Sequence, residues 1–153
     1  MAQRSKKDHI VKSTLPLFLL NGFKGTSVDL VVRVSEVSKP TVYNHFPDKA
    51  ALMLAVVKQW VSTHQPHLSG VKDPTSIERS INDQWLNEDT VGLYALVIGE
   101  GKRFPKARQL FWEAFDAAWR KALIDRFAGT QPKAEQRFAM YLDQQLLSRL
   151  RQR

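Results

Sequence analysis

Two short helical segments separated by a tight break stand out in residues 25–54 and constrain the fold most. Thr26 and Ser27 precede Asp29, an order of hydroxyl and acidic residues that is typical of a helix start, with Thr26 as the expected cap. Apolar residues then recur at helical spacing, at Val28, Val31 and Val32. The pattern predicts a helix that begins beside Thr26 and lasts about two turns.

The second helix of this segment is predicted after Ser35-Glu36-Val37, which interrupts the apolar spacing. Ser38 offers an N-cap, and Pro40 lies in the first turn, where its missing amide costs nothing. Pro47-Asp48 ends the helix. Two short helices joined by a turn of about three residues indicate a helix-turn-helix, whose second helix enters the DNA major groove.

Residues 37–52, with the sequence VSKPTVYNHFPDKAAL, resemble the signature of the tetracycline-repressor (TetR) family. Residues 10–28 resemble the first helix of that family and its exit, so that the match is nearly gapless over residues 9–57. The resemblance implies a dimeric regulator that binds a palindromic operator in double-stranded DNA. One departure is Glu36, which replaces the usual glycine of the turn; a left-handed conformation there would cost about 1 kcal/mol.

Composition is compatible with a DNA-binding protein. The chain has 153 residues, of which 43% are hydrophobic, and its net charge is +8. The basic excess is +5 over residues 1–64 and +3 over residues 65–153, so it is concentrated around the motif, as phosphate binding requires. No cysteine, signal-peptide core or membrane-length apolar run is present, so the expectation is a cytoplasmic protein without membrane contact.

The fold class is predicted to be all-α. Residues 1–48 form an N-terminal arm and a three-helix DNA-binding domain, residues 49–64 a connector helix capped by Asp48, and residues 65–153 a short helical ligand-binding, regulatory and dimerisation domain. Residues 65–74 read as the linker. Helices are predicted over residues 10–21, 75–87, 89–101 and 106–127, and from Gln131-Pro132 onward.

Helix 1 contains Pro16, which would cost about 3 kcal/mol within a helix. The helix is therefore expected either to start near Ser13 or to kink at the proline. Gly22 is expected just after its end.

The second helix carries the candidate base-reading residues. Lys39 is the first candidate, since a lysine donates to guanine O6 and N7. Thr41 can exchange hydrogen bonds with a base and pack its methyl on thymine, and Pro40 offers an apolar surface. Asn44 is either a further DNA contact or a solvated helix end.

The DNA backbone is expected to be held by polar side chains on either side of that helix. Tyr43 and His45 reach phosphates at the corresponding positions of the family; the alternatives are a packed aromatic and a C-terminal helix cap. Thr26 or Ser27 would hold one side of the backbone and Lys49 the other.

Aromatic residues of the second half have two interpretations. They form a core, or part of them lines a cavity for a small apolar effector, as the family resemblance implies. The candidate effector residues are Trp60, Trp112, Phe115 and Trp119. In the family the last two helices pair across a two-fold axis, so the candidate homodimer residues are Phe138, Leu142 and Leu146.

No residues indicate catalysis, a metal or a cofactor. Pro66 separates His64 from His67, which argues against a shared helical metal face, and Glu100 with Arg103 has the spacing of a common surface pair. The sequence therefore predicts a dimeric repressor that an apolar effector releases. The alternative is a helical DNA-binding or protein-interaction module of the same fold that acts without an effector.

Overall fold

The computed structural model describes residues 5–128 and 132–153, and within these ranges the chain is helical without a strand. The prediction of an all-α fold is confirmed. The described helices are α1 (Lys6–Asn21), α2 (Val28–Ser35), α3 (Lys39–His45), α4 (Lys49–Thr63), α5 (Pro74–Arg79, continued by a π-helical segment Ser80–Trp85), α6 (Glu88–Glu100), α7 (Pro105–Leu110, continued by π-helical Phe111–Asp116 and α-helical Ala117–Phe127) and α8 (Pro132–Arg151).

Side-chain caps determine where most of these helices begin. Asp48 accepts a hydrogen bond from the Ala51 amide at 2.7 Å, which starts α4 at the predicted position. The same local bond to the amide three residues ahead starts α1, α2, α3, α5 and α6, with caps at Ser5, Ser27, Ser38, Asp73 and Asn87. Each cap satisfies an amide that the helix itself leaves without a partner.

Helix α1 starts at Lys6 and continues through Pro16, so the predicted start near Ser13 is wrong. The proline deprives one carbonyl of its helical donor, a cost that burial of the helix offsets. Ile10 and Phe18 lie on both sides of the proline and are completely buried in the core. The predicted glycine after the helix is confirmed, because Gly22 has φ 76° and its amide donates to the Phe18 carbonyl at 2.9 Å.

Helix α4 is the connector that the sequence predicts. Its buried residues Leu52, Met53, Val56, Val57 and Trp60 contribute to one core that includes residues of α1 and α7. The helix contacts both α1 and α7, so it is buried on two sides. The stretch between Thr63 and Pro74, where the linker is predicted, contains no helix.

A buried polar network joins four helices of the second half. Trp85 Nε1 donates to the Tyr94 hydroxyl at 3.1 Å, and that hydroxyl donates to Asp116 Oδ1 at 2.6 Å. Arg120 Nε binds both Asp116 oxygens at 2.9 and 3.0 Å, and its Nη1 donates to Asp143 at 2.6 Å. Burial, with the negative charge of Asp116, raises the pKa of Tyr94 far above its ordinary value, so this hydroxyl remains a donor.

Candidate nucleic-acid interface

The turn between α2 and α3 sets the angle of the helix-turn-helix. Glu36 has φ 56° and ψ 27°, the left-handed conformation that its position in the turn predicts, and among the described residues it is the one non-glycine with positive φ. Val31 and Val42 are buried between the helices. His9 Nε2 lies 2.7 Å from the Ser35 carbonyl and ties the end of α2 to α1. The two helices are therefore held at a defined angle.

Helix α3 presents most of the predicted DNA-binding residues to solvent. Lys39, Pro40, Tyr43, Asn44 and His45 are exposed. Thr41 is half-buried, with its hydroxyl 2.7 Å from that of Ser38. Val42 and Phe46 are buried, as expected of core residues. Helix α3 thus has a polar, exposed face and an opposite apolar, buried face, as insertion into the major groove requires.

Lys39 forms an ion pair that the sequence did not reveal. Its Nζ lies 2.8 Å from Asp29 Oδ1, and both side chains are exposed. The hydrogen bond to Lys39 lowers the pKa of Asp29, and the same bond raises the pKa of Lys39. The ammonium group is therefore held toward the start of α2, and Asp29 competes with a base for its donors. The acidic residue in the first turn of α2 was interpreted only as a helix-start signal.

Replacing Asp29 by Asn is expected to strengthen binding to DNA of any sequence, roughly tenfold or less, because it removes a negative charge beside Lys39. The measurement is affinity for operator and random duplexes at several salt concentrations. Asp125→Asn is the matched control, since Asp125 pairs with Lys121 on α7. Equal affinities for the parent and Asp29→Asn would contradict a position of this pair on the DNA side.

Thr26 is not the cap of α2, and this prediction is wrong. Ser27 is the cap, and its hydroxyl accepts from the Leu30 amide at 3.1 Å. Thr26 is completely buried, and its hydroxyl donates to the carbonyls of Gly22 at 2.7 Å and Leu17 at 3.1 Å. A buried hydroxyl that already has internal acceptors cannot bind a phosphate, so the exposed Ser27 is the remaining candidate of the two.

Lys49 is half-buried and contacts the loop between α1 and α2. Its Nζ donates to the Phe23 carbonyl at 2.6 Å and lies 4.5 Å from the centre of the Phe23 ring. Burial lowers the pKa of this amine. The Phe23 carbonyl occupies one of the three donors of the ammonium group, and a phosphate contact by Lys49 stays a prediction.

The candidate effector residues pack tightly in this conformation. Trp60, Phe115 and Trp119 are each at most 4% exposed. Trp60 stacks on His64 at a centroid distance of 3.6 Å and meets Phe115 at 6.4 Å, while Trp119 Nε1 donates to the His64 carbonyl at 2.8 Å. Trp112 instead borders an open surface cleft beside Pro105 and Arg108. The four residues do not share one cavity here.

The candidate dimer residues are mostly internal. Leu142 is 0% and Leu146 6% exposed, and both belong to the core of their own protomer, so their prediction as interface residues is wrong. Phe138 is half-buried, with its ring 6.4 Å from that of Phe127. The apolar residues that α8 exposes are Met140 at 62% and Leu147 at 51%. Helical spacing alone could not say which of the apolar rows turns inward.

Other kinds of site have little support in the described parts of the chain. Residues 5–128 and 132–153 contain no group of three His, Asp or Glu residues placed to hold a metal ion. In the same ranges no helix combines the length and apolarity that a membrane crossing needs.

The arrangement of α1 to α3, with Val31 and Val42 buried and an exposed polar face on α3, is that of a helix-turn-helix DNA-binding domain. Residues 10–56 match the family model described as "Bacterial regulatory proteins, tetR family". This N-terminal segment, about a third of the chain, is thus similar to the corresponding part of tetR-family regulatory proteins.

Curated relatives are similar to this chain over half of its length or less. The HTH-type transcriptional repressor DhaR of Mycobacterium sp. (strain GP1) is 30% identical over 77 residues, which are 50% of this chain and 39% of the relative. The HTH-type transcriptional regulator RutR of Escherichia coli (strain K12) is 36% identical over 58 residues, 38% of this chain and 27% of the relative. The chain thus aligns with two fifths or less of each of these relatives.

The fold similarity extends further than the sequence similarity. The Salmonella enterica GusR structure has a TM-score of 0.70 with 23% identity, covering 95% of this chain and 82% of that one. The second half of this chain therefore shares the helical fold of that protein.

Proposed function

We propose that the chain is a sequence-specific, double-stranded DNA-binding transcriptional regulator that acts as a homodimeric repressor in the cytoplasm. The observation that carries the proposal is the exposed face of α3, where Lys39, Tyr43 and His45 stand above a buried Val42. The repressor role is supported by the name of the relative DhaR, and the positive charge of residues 1–64 suits a phosphate backbone.

A homodimer would place two α3 helices on one face of a palindromic operator. Half-sites separated by about one helical turn or slightly more are the expected spacing. The exposed Met140 and Leu147 lie seven residues apart on α8, hence on one side of the helix, and suit a self-complementary contact.

We further propose that a small apolar effector releases the protein from DNA. A binding site at Trp60, Trp112, Phe115 and Trp119 requires the packed aromatics to separate, and the effector must bind that opened state more tightly. The second candidate is a DNA-binding or protein-interaction module that acts without an effector, and the close packing around Trp60 favours it. Selection of bound DNA from random oligonucleotides, with and without a metabolite extract, distinguishes the two.

Lys39→Ala is expected to lose discrimination at one base pair of the selected operator, by roughly 5- to 150-fold, because the ammonium group supplies the base-edge donor. Affinities for the operator and its single-base variants measure the effect. Lys121→Ala is the control, since Lys121 is an exposed lysine on α7 that pairs with Asp125. A specificity profile for Lys39→Ala identical to that of the parent would mean that this face does not read the bases.

A further inference from the structure

Glu100, at the end of α6, bridges the second half of the chain to the DNA-binding domain. Its Oε1 accepts a hydrogen bond from the Phe23 amide at 2.9 Å, and its Oε2 accepts from the Lys24 amide at 2.9 Å. Arg103, the partner expected from spacing, lies at 3.8 Å and is the weaker contact. A carboxylate that accepts two amides makes charge-assisted bonds, which are stronger than neutral ones.

The loop that Glu100 holds is shaped for this approach. Gly22 has φ +76°, a left-handed value that favours glycine, and a Cβ atom there would lie 2.7 Å from Glu100 Oε1. Glycine at this position therefore serves both the backbone turn and the close contact with the carboxylate. Two independent requirements meeting at one residue indicate a specific fit between the loop and Glu100.

Two further contacts hold the loop between α1 and α2. The rings of Phe23 and Phe104 lie 4.8 Å apart, and Phe104 follows Glu100 at the start of α7. Lys49 Nζ binds the Phe23 carbonyl from α4. Phe23 and Lys24 are thus held by Glu100 of α6, by Lys49 of α4 and by Phe104 just before α7, and the loop leads into Ser27, the cap of α2.

We propose that Glu100 is a positioning residue for DNA recognition: its carboxylate sets the orientation of the helix-turn-helix relative to the second half of the chain. The proposal rests on the proposed function, because orientation affects affinity only when two α3 helices must fit one operator. A rotation of the loop would turn α2 and α3 with it, since Ser27 starts α2 and the buried side chains of Val31 and Val42 hold the two helices together. Loss of the contact leaves the part-buried Phe23 amide and the exposed Lys24 amide without their acceptor, and the Phe23 amide is the more costly of the two to leave unpaired.

The test compares Glu100→Gln, which turns one acceptor oxygen into an NH2 group facing an amide, with the parent. Glu113→Gln is the matched control, because Glu113 is exposed and bonds only to Gln109. The chain has no cysteine, so spin labels at Val34→Cys and Lys121→Cys report the distance between the two parts, with labelled protein diluted in unlabelled protein. Amide hydrogen exchange at Phe23 and Lys24 and affinity for the selected operator complete the measurements.

Glu100→Gln is expected to broaden the distance distribution, to speed exchange at both amides and to weaken operator binding about fivefold or more, with the control unchanged. If Glu100→Gln fails to fold, Glu100→Asp replaces it, because the shorter side chain cannot span both amides. Spin-label distances and amide exchange rates that Glu100→Gln leaves unchanged would contradict the structural role of the Glu100 contact. Operator affinity equal to the parent's would contradict the role of this contact in DNA recognition. If the parent protein binds no DNA, the proposed function is contradicted. The spin-label distances and the amide exchange rates still test the contact between Glu100 and the loop.

Discussion

Leu142→Arg is expected to unfold the C-terminal half of the protomer and not to yield a folded monomer. Leu142 is completely buried in the core, where removing a leucine side chain costs about 2–5 kcal/mol and an unpaired charge adds to the loss. The sum approaches the total of about 5–15 kcal/mol that stabilises a typical domain. Circular dichroism during heating should show lost helicity or a transition far below that of the parent.

Leu147→Arg is the matched control for this prediction. It makes the same substitution five residues along α8, at a side chain that is 51% exposed, so protomer stability should change by about 0.5 kcal/mol or less. If Met140 and Leu147 form the proposed dimer contact, light scattering should show a folded monomer for Leu147→Arg and a dimer for the parent. A folded Leu142→Arg protein would contradict the internal position of that side chain.

Asp116→Ala is expected to destabilise the C-terminal half by about 3 kcal/mol. This value is at the lower end of the range for breaking a buried ion pair, because Arg120 keeps its bond to Asp143 and some access to water. The substitution removes the acceptor of the Tyr94 hydroxyl and of Arg120 Nε. Urea unfolding followed by tryptophan fluorescence measures the loss, since Trp85 belongs to the same network.

Asp125→Ala on the same helix is the comparison for Asp116→Ala. Asp125 pairs with Lys121 one turn away, and both side chains are largely exposed, so its removal should cost about 0.5 kcal/mol or less. Equal unfolding midpoints for Asp116→Ala and Asp125→Ala would show that the network contributes no more than a surface pair.

The sequence alone determined the features that depend on neighbours within about four residues. The caps at Ser38 and Asp48 and the order of helices α1 to α4 follow from local hydrogen bonds and from apolar spacing. The left-handed turn at Glu36 is expected from the resemblance to a family that usually has glycine there. Such interactions are complete within one turn of helix, so the residue types carry the information. The resemblance of residues 37–52 to a known family rests on the same local pattern.

Tertiary structure decided which of several suitable residues took each role. Thr26 and Ser27 are both able to cap α2, and burial of Thr26 against Leu17 left the cap to Ser27. Leu142 and Leu147 belong to rows that spacing alone cannot separate, and packing on the protomer's own core drew Leu142 inward.

The partners of charged groups were decided in the same way. Lys49 bonds to a carbonyl 26 residues away, and Glu100 bonds to an amide 77 residues away. Contacts of this separation exist only after the helices pack, because the chain between the partners must first adopt its own structure. Local patterns therefore predicted the motif and its exposed helix, whereas packing determined which of its charges are free to meet DNA.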